Sequence, residues 1–344
     1  MEDGLTYRSA GVDIQAQDQA AELFAEAVRE THTDAVIKGL SDFGGMFALG
    51  RGYDDPVLVA GTDGVGTKLI VAFELGKHDT VGQDLVAMCV DDVVCQGARP
   101  VLFLDYFASA VRDPEQTAAV VSGVARACKQ VGCALLGGEM AELPGLYQEG
   151  EYDLAGFAIG VVERAQIIDG SQVAEGDVVL GLASDGLHSN GYSLARKALL
   201  EVAGRRLSDA IPELGCTLGE ELLRPTRLYA GSIVSALDAG ARPHALAHIT
   251  GGGLPDNVGR CMPNGLCAVI ERDSFPHHPV FGLIQRHGKV QEMEMYRTFN
   301  MGIGMVAICP APAAGALRAS LEAAGETVYD IGRVETNCDK VRLV

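Results

Sequence analysis

Several segments set acids, a lysine or a histidine near glycines, the combination that phosphate chemistry uses. The first is GTDGVGTK at 61–68. Asp63 stands where a strand runs into a turn and could hold a divalent cation, while Lys68 could meet a phosphate. After Gly66 the order is Thr67–Lys68, so the segment is not a Walker A loop. Asp63–Gly64 is also a common turn pair, and a plain hairpin turn is an equal alternative.

The run VAMCVDDVVCQGARP carries acids on a helix. At about 100° per residue, Asp84 and Asp91 share one face, with Asp92 about a quarter-turn away. A solvated polar face is the usual explanation of such a pattern. Met88 and Cys95 fall on the same side, however, and a carboxylate that is buried needs a partner. A metal or a hydrogen-bond network is therefore preferred for this face.

In GGEMAELPGLY, Gly137 and Gly138 end a strand and Glu139 and Glu142 follow. Alone, the segment favours an ordinary turn with two surface acids. In SDGLHSNGYS, Ser189 or Asn190 is expected to cap the next helix, whose N–H groups would point at an anion. His188 is placed to donate to a phosphoryl oxygen or to move a proton. A capped helix with an incidental histidine explains the segment equally well. HITGGGLPDN brings Gly251, Gly252 and Gly253 together as an anion nest, with a flexible connector as the alternative. GIGMVA at 302–307 fits GxGxx(G/A) only formally, because its neighbours alternate like a strand.

Strands and helices must hold these segments in place. The pattern predicts a helix over 18–32, then strands at PVLVAGTDG, VLFLDYFAS, CALLGG and YDLAGFAIGVVE. Helices are expected over 82–97 and 114–131, the second with Pro114 near its start. Near 165–176 the pattern fades between two glycine turns, and a boundary there divides the chain into 1–168 and 169–344. The second part is expected to hold strands at VVLGLAS, LCAVIER, MYRTFNMGIGMVAIC and ETVYDIGRV, and helices at YSLARKALLEV, 228–237 and 310–325.

The chain has 344 residues, 48% hydrophobic and 21% charged, enough for two cores and too apolar for disorder. The net charge of −19 gives no basic footprint for nucleic acid. Nine cysteines with no CxxC pair argue against zinc and for small buried hydrophobes in a reducing compartment. The start MEDGLTYRSAG has no signal-peptide pattern, and no run approaches the ~20 apolar residues of a membrane helix. The cytoplasm is the expected location.

Together the segments resemble the phosphoribosylformylglycinamidine cyclo-ligase (AIR synthetase) family. The strings that carry the resemblance are YRSAGVDI, GTDGVGTKL, GQDLVAMCVDDVVCQGARPVLFLDY, LLGGEMAELPGLY, SDGLHSNGYSL, HITGGGLPDN and TFNMGIGM, in family order from residue 7 to about 305. The resemblance implies an α+β fold of two mixed α/β domains, ATP-binding, with first domains pairing sheets in a homodimer. It implies an enzyme that uses Mg–ATP to phosphorylate the formamide oxygen of the substrate, after which the amidine nitrogen closes the imidazole ring.

Carried onto these positions, the resemblance makes Asp63, Asp92 and Glu139 the Mg²⁺ ligands and His188, Lys68 and Asp63 catalytic. Gly44, Gly45, Gly64, Gly66, Thr67, Lys68, Ser189, Asn190, Gly251, Gly252 and Gly253 would meet ATP or phosphate. The chain departs from the family at Asp91, where Asn is usual, and at Ser41 and Asp42, where glycines are usual. A small-molecule kinase of the same superfamily and a nucleotide-binding scaffold are the rival readings.

Overall fold

The computed structural model describes residues 5–39, 43–111, 113–336, 338 and 340–344, so the Ser41 and Asp42 departures lie outside the described residues. The Ile14–Arg29 helix starts where the Asp13 carboxylate accepts from Gln15 N at 3.0 Å. Its buried Ala20, Phe24 and Val28 recur every four residues and pack on the Pro114–Val131 helix. That second helix begins with Pro114 behind an Asp113 cap and ends at Gly132, whose φ of 73° stops it.

Four strands form the first sheet in the order Pro56–Gly64, Tyr152–Glu163, Arg99–Ser109 and Ala134–Glu142. The first three pair antiparallel. The last two are parallel and are joined through the Pro114–Val131 helix. The six-stranded second sheet runs Ala245–His248, Ile303–Cys309, Val178–Ala183, Val328–Thr336, Leu266–Ile270 and Val341–Leu343. Only its last pair is parallel. No strand of either sheet crosses residues 164–177.

The Val81–Val94 helix is buried almost all round. One side lies on the first sheet and another meets the Ala230–Asp238 helix of the second half. The opposite face of the first sheet is bare, with Leu58 60% and Phe157 42% exposed. Among the described residues no helix is long and apolar enough to cross a membrane.

Several elements differ from the sequence expectation. GGEMAE stays in the strand to Glu142, because its backbone continues the parallel ladder with Arg99–Ser109. MYRTFNM is not strand: Glu292–Thr298 is a helix, and the strand begins at Ile303. The cysteines also divide. Cys128 and Cys309 are free and buried, whereas Cys267 and Cys338 form a disulfide, which sequence spacing gave no sign of.

Candidate active site between the two halves

The three acids of the Val81–Val94 helix all reach the second half. Asp84 Oδ1 accepts from Thr226 N at 2.7 Å and from Thr226 Oγ1 at 2.6 Å. Asp91 Oδ1 accepts from Tyr229 N at 3.0 Å and Ala230 N at 2.8 Å, at the start of the Ala230–Asp238 helix. Asp92 Oδ1 accepts from His248 Nδ1 at 2.9 Å. The hydrogen-bond network expected for this face is thus mostly backbone N–H from across the interface. Burial pushes Asp91 up to about 7, against the two N–H donors and the nearby His248.

Asp92 differs from its neighbours in being half exposed. Asp63, at the end of the Pro56–Gly64 strand, lies close enough to feel its charge. Burial holds Asp63 above the usual carboxylate range; the Gly64 N–H at 2.7 Å works against the shift and the Asp92 charge adds to it. Burial also opposes a charge on His248, yet the Asp92 bond and the charges of Asp91, Asp92 and Asp63 outweigh it and raise the imidazole above its ordinary value. His248 Nε2 is buried without a partner. A divalent cation suits this pair, because magnesium is commonly held by one or two carboxylates and completed by phosphate and water.

Glu139 does not join them. Asp63, Gly156, Asp105 and Gly138 stand in register across the four strands, so Asp63 and Asp105 share a face. Glu139 follows Gly138 and points to the other face, roughly 14 Å from Asp63 at ~4.8 Å per strand. Among the described residues no group of three ligating side chains forms.

Lys68 is also placed otherwise than expected. It is fully buried, and its ammonium donates to Asp84 Oδ1 at 2.7 Å, to His188 O at 2.9 Å and to Arg224 O at 2.7 Å. An ammonium has three protons, so none is left for a phosphate in this arrangement. Thr67 beside it is exposed and pairs through Oγ1 with Ser193 Oγ at 3.1 Å.

His188 sits under the site rather than on its surface. It is 2% exposed with a φ of 64°, a left-handed backbone unusual for a residue other than glycine. Its Nε2 accepts from Asp185 N at 3.1 Å, which puts the proton on Nδ1, and Nδ1 has no partner. Burial, followed by the nearby His248 and Lys68 charges, pushes it well below its ordinary value, so the ring is neutral. Ser189 and Asn190 do not cap the next helix. Its N-cap is Gly191, and the Ser189 hydroxyl pairs with Thr226 Oγ1 at 3.0 Å. Gly304 makes room for the site, since a Cβ there would stand 2.5 Å from His188 Cε1.

The triple glycine begins a helix, Gly253–Arg260, with Gly252 as N-cap. Asn257 Nδ2 donates to Thr250 O, Gly251 O and Gly253 O and so ties the turn internally. Gly253 N is taken by Thr250 O, and a Cβ on Gly253 would run into Tyr296 O. Gly251 faces Asn190. Gly64, Gly66, Thr67, Asp63 and Asp92 thus lie on the first half of the site, and His188, Asn190, Gly251 and His248 on the second. Gly44 and Gly45 lie elsewhere, beside Leu136, Gly138 and Glu139. Sequence reasoning missed His248. Its signal was a histidine closing a strand directly before a glycine run.

The chain matches the family description "AIR synthase related protein, N-terminal domain" over residues 25–162 and "AIR synthase related protein, C-terminal domain" over 174–343. It is 53% identical to phosphoribosylformylglycinamidine cyclo-ligase of Anaeromyxobacter sp. (strain Fw109-5), covering 98% of this chain and 99% of that one. It is also 53% identical to the protein of the same name from Sorangium cellulosum (strain So ce56), over 96% and 95%. In fold it is similar to thiamine-monophosphate kinase from Stenotrophomonas maltophilia K279a, with a TM-score of 0.65, 21% identity and coverage of 93% and 95%. Hydrogenase maturation protein HypE in complex with ATP gives 0.65 at 15% identity, over 94% and 87%.

Proposed function

This chain belongs to the phosphoribosylformylglycinamidine cyclo-ligase family, and from that premise we propose which residues carry its reaction. The reaction is the ATP-dependent closure of phosphoribosylformylglycinamidine to 5-aminoimidazole ribonucleotide in purine biosynthesis, with release of ADP and phosphate. ATP phosphorylates the formamide oxygen, the amidine nitrogen attacks the formyl carbon and loses a proton, and phosphate departs. An amide oxygen is a poor leaving group and phosphate a good one, which is why ATP is used.

The half-exposed Asp92 beside Asp63, opening between the two halves, carries the reading. These two carboxylates would hold Mg²⁺ against the ATP phosphates, neutralising charge during transfer. His248 fixes the orientation of Asp92 through its Nδ1–H. His188, neutral and with its proton on Nδ1, is suited to donate toward the transferred phosphoryl group once ligand draws it out of its buried position. Gly64, Gly66, Thr67, Asn190 and Gly251 are placed for backbone and side-chain contacts with phosphate, and Gly44 and Gly45 for the nucleotide. We assign Lys68 to positioning and leave Glu139 out of the cation site.

We further place the domain division at 168/169, the protein in the cytoplasm, and the bare first-sheet face at the centre of a homodimer. Phosphate release measured with and without the formylglycinamidine substrate tests the function. Substrate-dependent phosphate with ring closure is expected, and a stable phosphorylated product would mark a kinase instead.

A further inference from the structure

The backbone N–H of Asp185 donates to His188 Nε2 at 3.1 Å, and this bond is what leaves the ring proton on Nδ1. That N–H belongs to the peptide group whose carbonyl is Ser184 O. His278 Nε2 lies 2.8 Å from the same carbonyl, although it is 94 residues away in the chain. A carbonyl only accepts, so the proton of this bond sits on His278 Nε2. A trans peptide points its C=O and N–H in opposite directions. One rigid plane therefore stands between two imidazoles, with His278 at its oxygen end and His188 at its hydrogen end. Bonds chained in this way polarise one another in the same sense.

Other groups hold the rest of the loop. Asn300 Nδ2 donates to Gly186 O at 2.9 Å and to Leu187 O at 3.2 Å. Arg227 donates to the Asp185 carboxylate at 3.0 Å, and the Lys68 ammonium reaches His188 O. None of these bonds falls on the Ser184–Asp185 peptide group itself. His278 is the N-cap of the Pro279–Gly288 helix, but its side chain makes no cap bond there. Its ring is given over to the Ser184 carbonyl and to contact with Phe281, at 6.2 Å between ring centres.

A plane turned the other way would offer Ser184 O to His188 Nε2. That nitrogen would then have to carry the proton, and Nδ1 would lose it. The same turn would set a peptide N–H against the His278 N–H, two donors facing each other. We propose that His278 is a positioning residue for His188: by holding the Ser184 carbonyl it fixes this one peptide plane and keeps the His188 proton on Nδ1. Its effect on turnover rests on the function proposed above, in which that Nδ1–H is used; its effect on the tautomer does not.

Nitrogen-15 spectra of histidine-labelled protein, taken without substrates, show which ring nitrogen carries the proton. The chain has eight histidines, and His188 is assigned as the signal missing from His188→Asn. Wild type should show His188 protonated on Nδ1. His278→Leu removes the donor, and His278→Asn has an amide too short to reach; both should move His188 proton density to Nε2. Both should also lower kcat by about tenfold, with KM for ATP within about threefold of wild type. His278→Gln sets an amide N–H near the position of the imidazole Nε2 and should restore the tautomer and most of kcat. Melting curves establish that each variant is folded. The proposal is overturned if His188 stays protonated on Nδ1 in both His278→Leu and His278→Asn, or if His278→Gln behaves as His278→Leu does. The spectra involve no turnover, so failure of the proposed reaction would leave this result standing, and failure here leaves the reaction untouched.

Discussion

The Lys68 ammonium lies 2.7 Å from the Asp84 carboxylate, and neither side chain is exposed. The same carboxylate oxygen receives Thr226 N and Oγ1, and the same ammonium reaches the carbonyls of His188 and Arg224. One ion pair of the first half thus fixes two loops of the second, including the one that carries the left-handed His188.

Removing one partner of a buried pair strands the other. Lys68→Met should cost about 3–5 kcal/mol, and adding Asp84→Asn to it should recover part of that loss. Thermal melting of the two variants checks this. Well below its melting temperature, Lys68→Met should keep its KM for ATP within about threefold of wild type. A rise of two orders of magnitude would restore Lys68 as a phosphate contact.

Asp92→Asn keeps an oxygen for the His248 Nδ1–H and should fold normally. Turnover should drop by several powers of ten, at about 1.4 kcal/mol per tenfold. Near-normal steady-state kinetics in the folded variant would remove Asp92 from the cation site. Asp91→Asn keeps the oxygen that receives Tyr229 and Ala230 N–H, so its activity should stay close to wild type.

His188 offers two substitutions that separate backbone from chemistry. Asn tolerates a φ of 64°, whereas Ala there adds roughly 1 kcal/mol of strain. Both should lower kcat strongly, with a smaller change in KM for ATP, because neither presents the imidazole Nδ1–H. If His188→Asn matches wild type in kcat, the histidine only shapes its loop.

Asp105 gives a pH-dependent stability. Its folded value, pushed up to about 7 by burial, lies above the ordinary 3.8. The folded protein therefore binds the proton more tightly, and this contribution is full below about 4 and lost as pH rises through about 7. Asp105→Asn should be more stable than wild type at pH 8, by up to ~4 kcal/mol, with the gap closing toward pH 4. Denaturant midpoints across that range decide it; a constant gap would contradict the assignment.

Homodimerisation should bury the bare sheet face. Light scattering should give twice the 36.1 kDa chain mass, and Phe157→Glu should halve it. A wild-type monomer at micromolar concentration would refute the pairing.

Much of this arrangement was legible in the sequence because it is local. The Asp13 cap lies one residue before its helix, and the wheel separated half-exposed Asp92 from the face shared by Asp84 and Asp91. What lay opposite those acids was not legible, since Thr226, Tyr229 and Ala230 approach from about 140 residues away with backbone N–H, which any residue but proline supplies. The partners of Lys68 were hidden for the same reason: a glycine turn announces a lysine near a phosphate or near a carbonyl in identical letters. The position of Glu139 was hidden by strand parity, because extending the strand past Gly138 sends alternate side chains to opposite faces. The match at GIGMVA was chance as a nucleotide fingerprint, yet its second glycine is needed to admit the His188 ring.

The acids of the Val81–Val94 helix hold the second half at three successive points, two through main-chain N–H groups and the third through the His248 side chain. A clamshell motion that parted the halves would break all three grips together, leaving Asp91 without its donors and Asp84 with Lys68 alone. These grips favour the halves staying together. Asp92, half exposed where its two neighbours are buried, is the acid of this seam that solvent reaches with the halves held together.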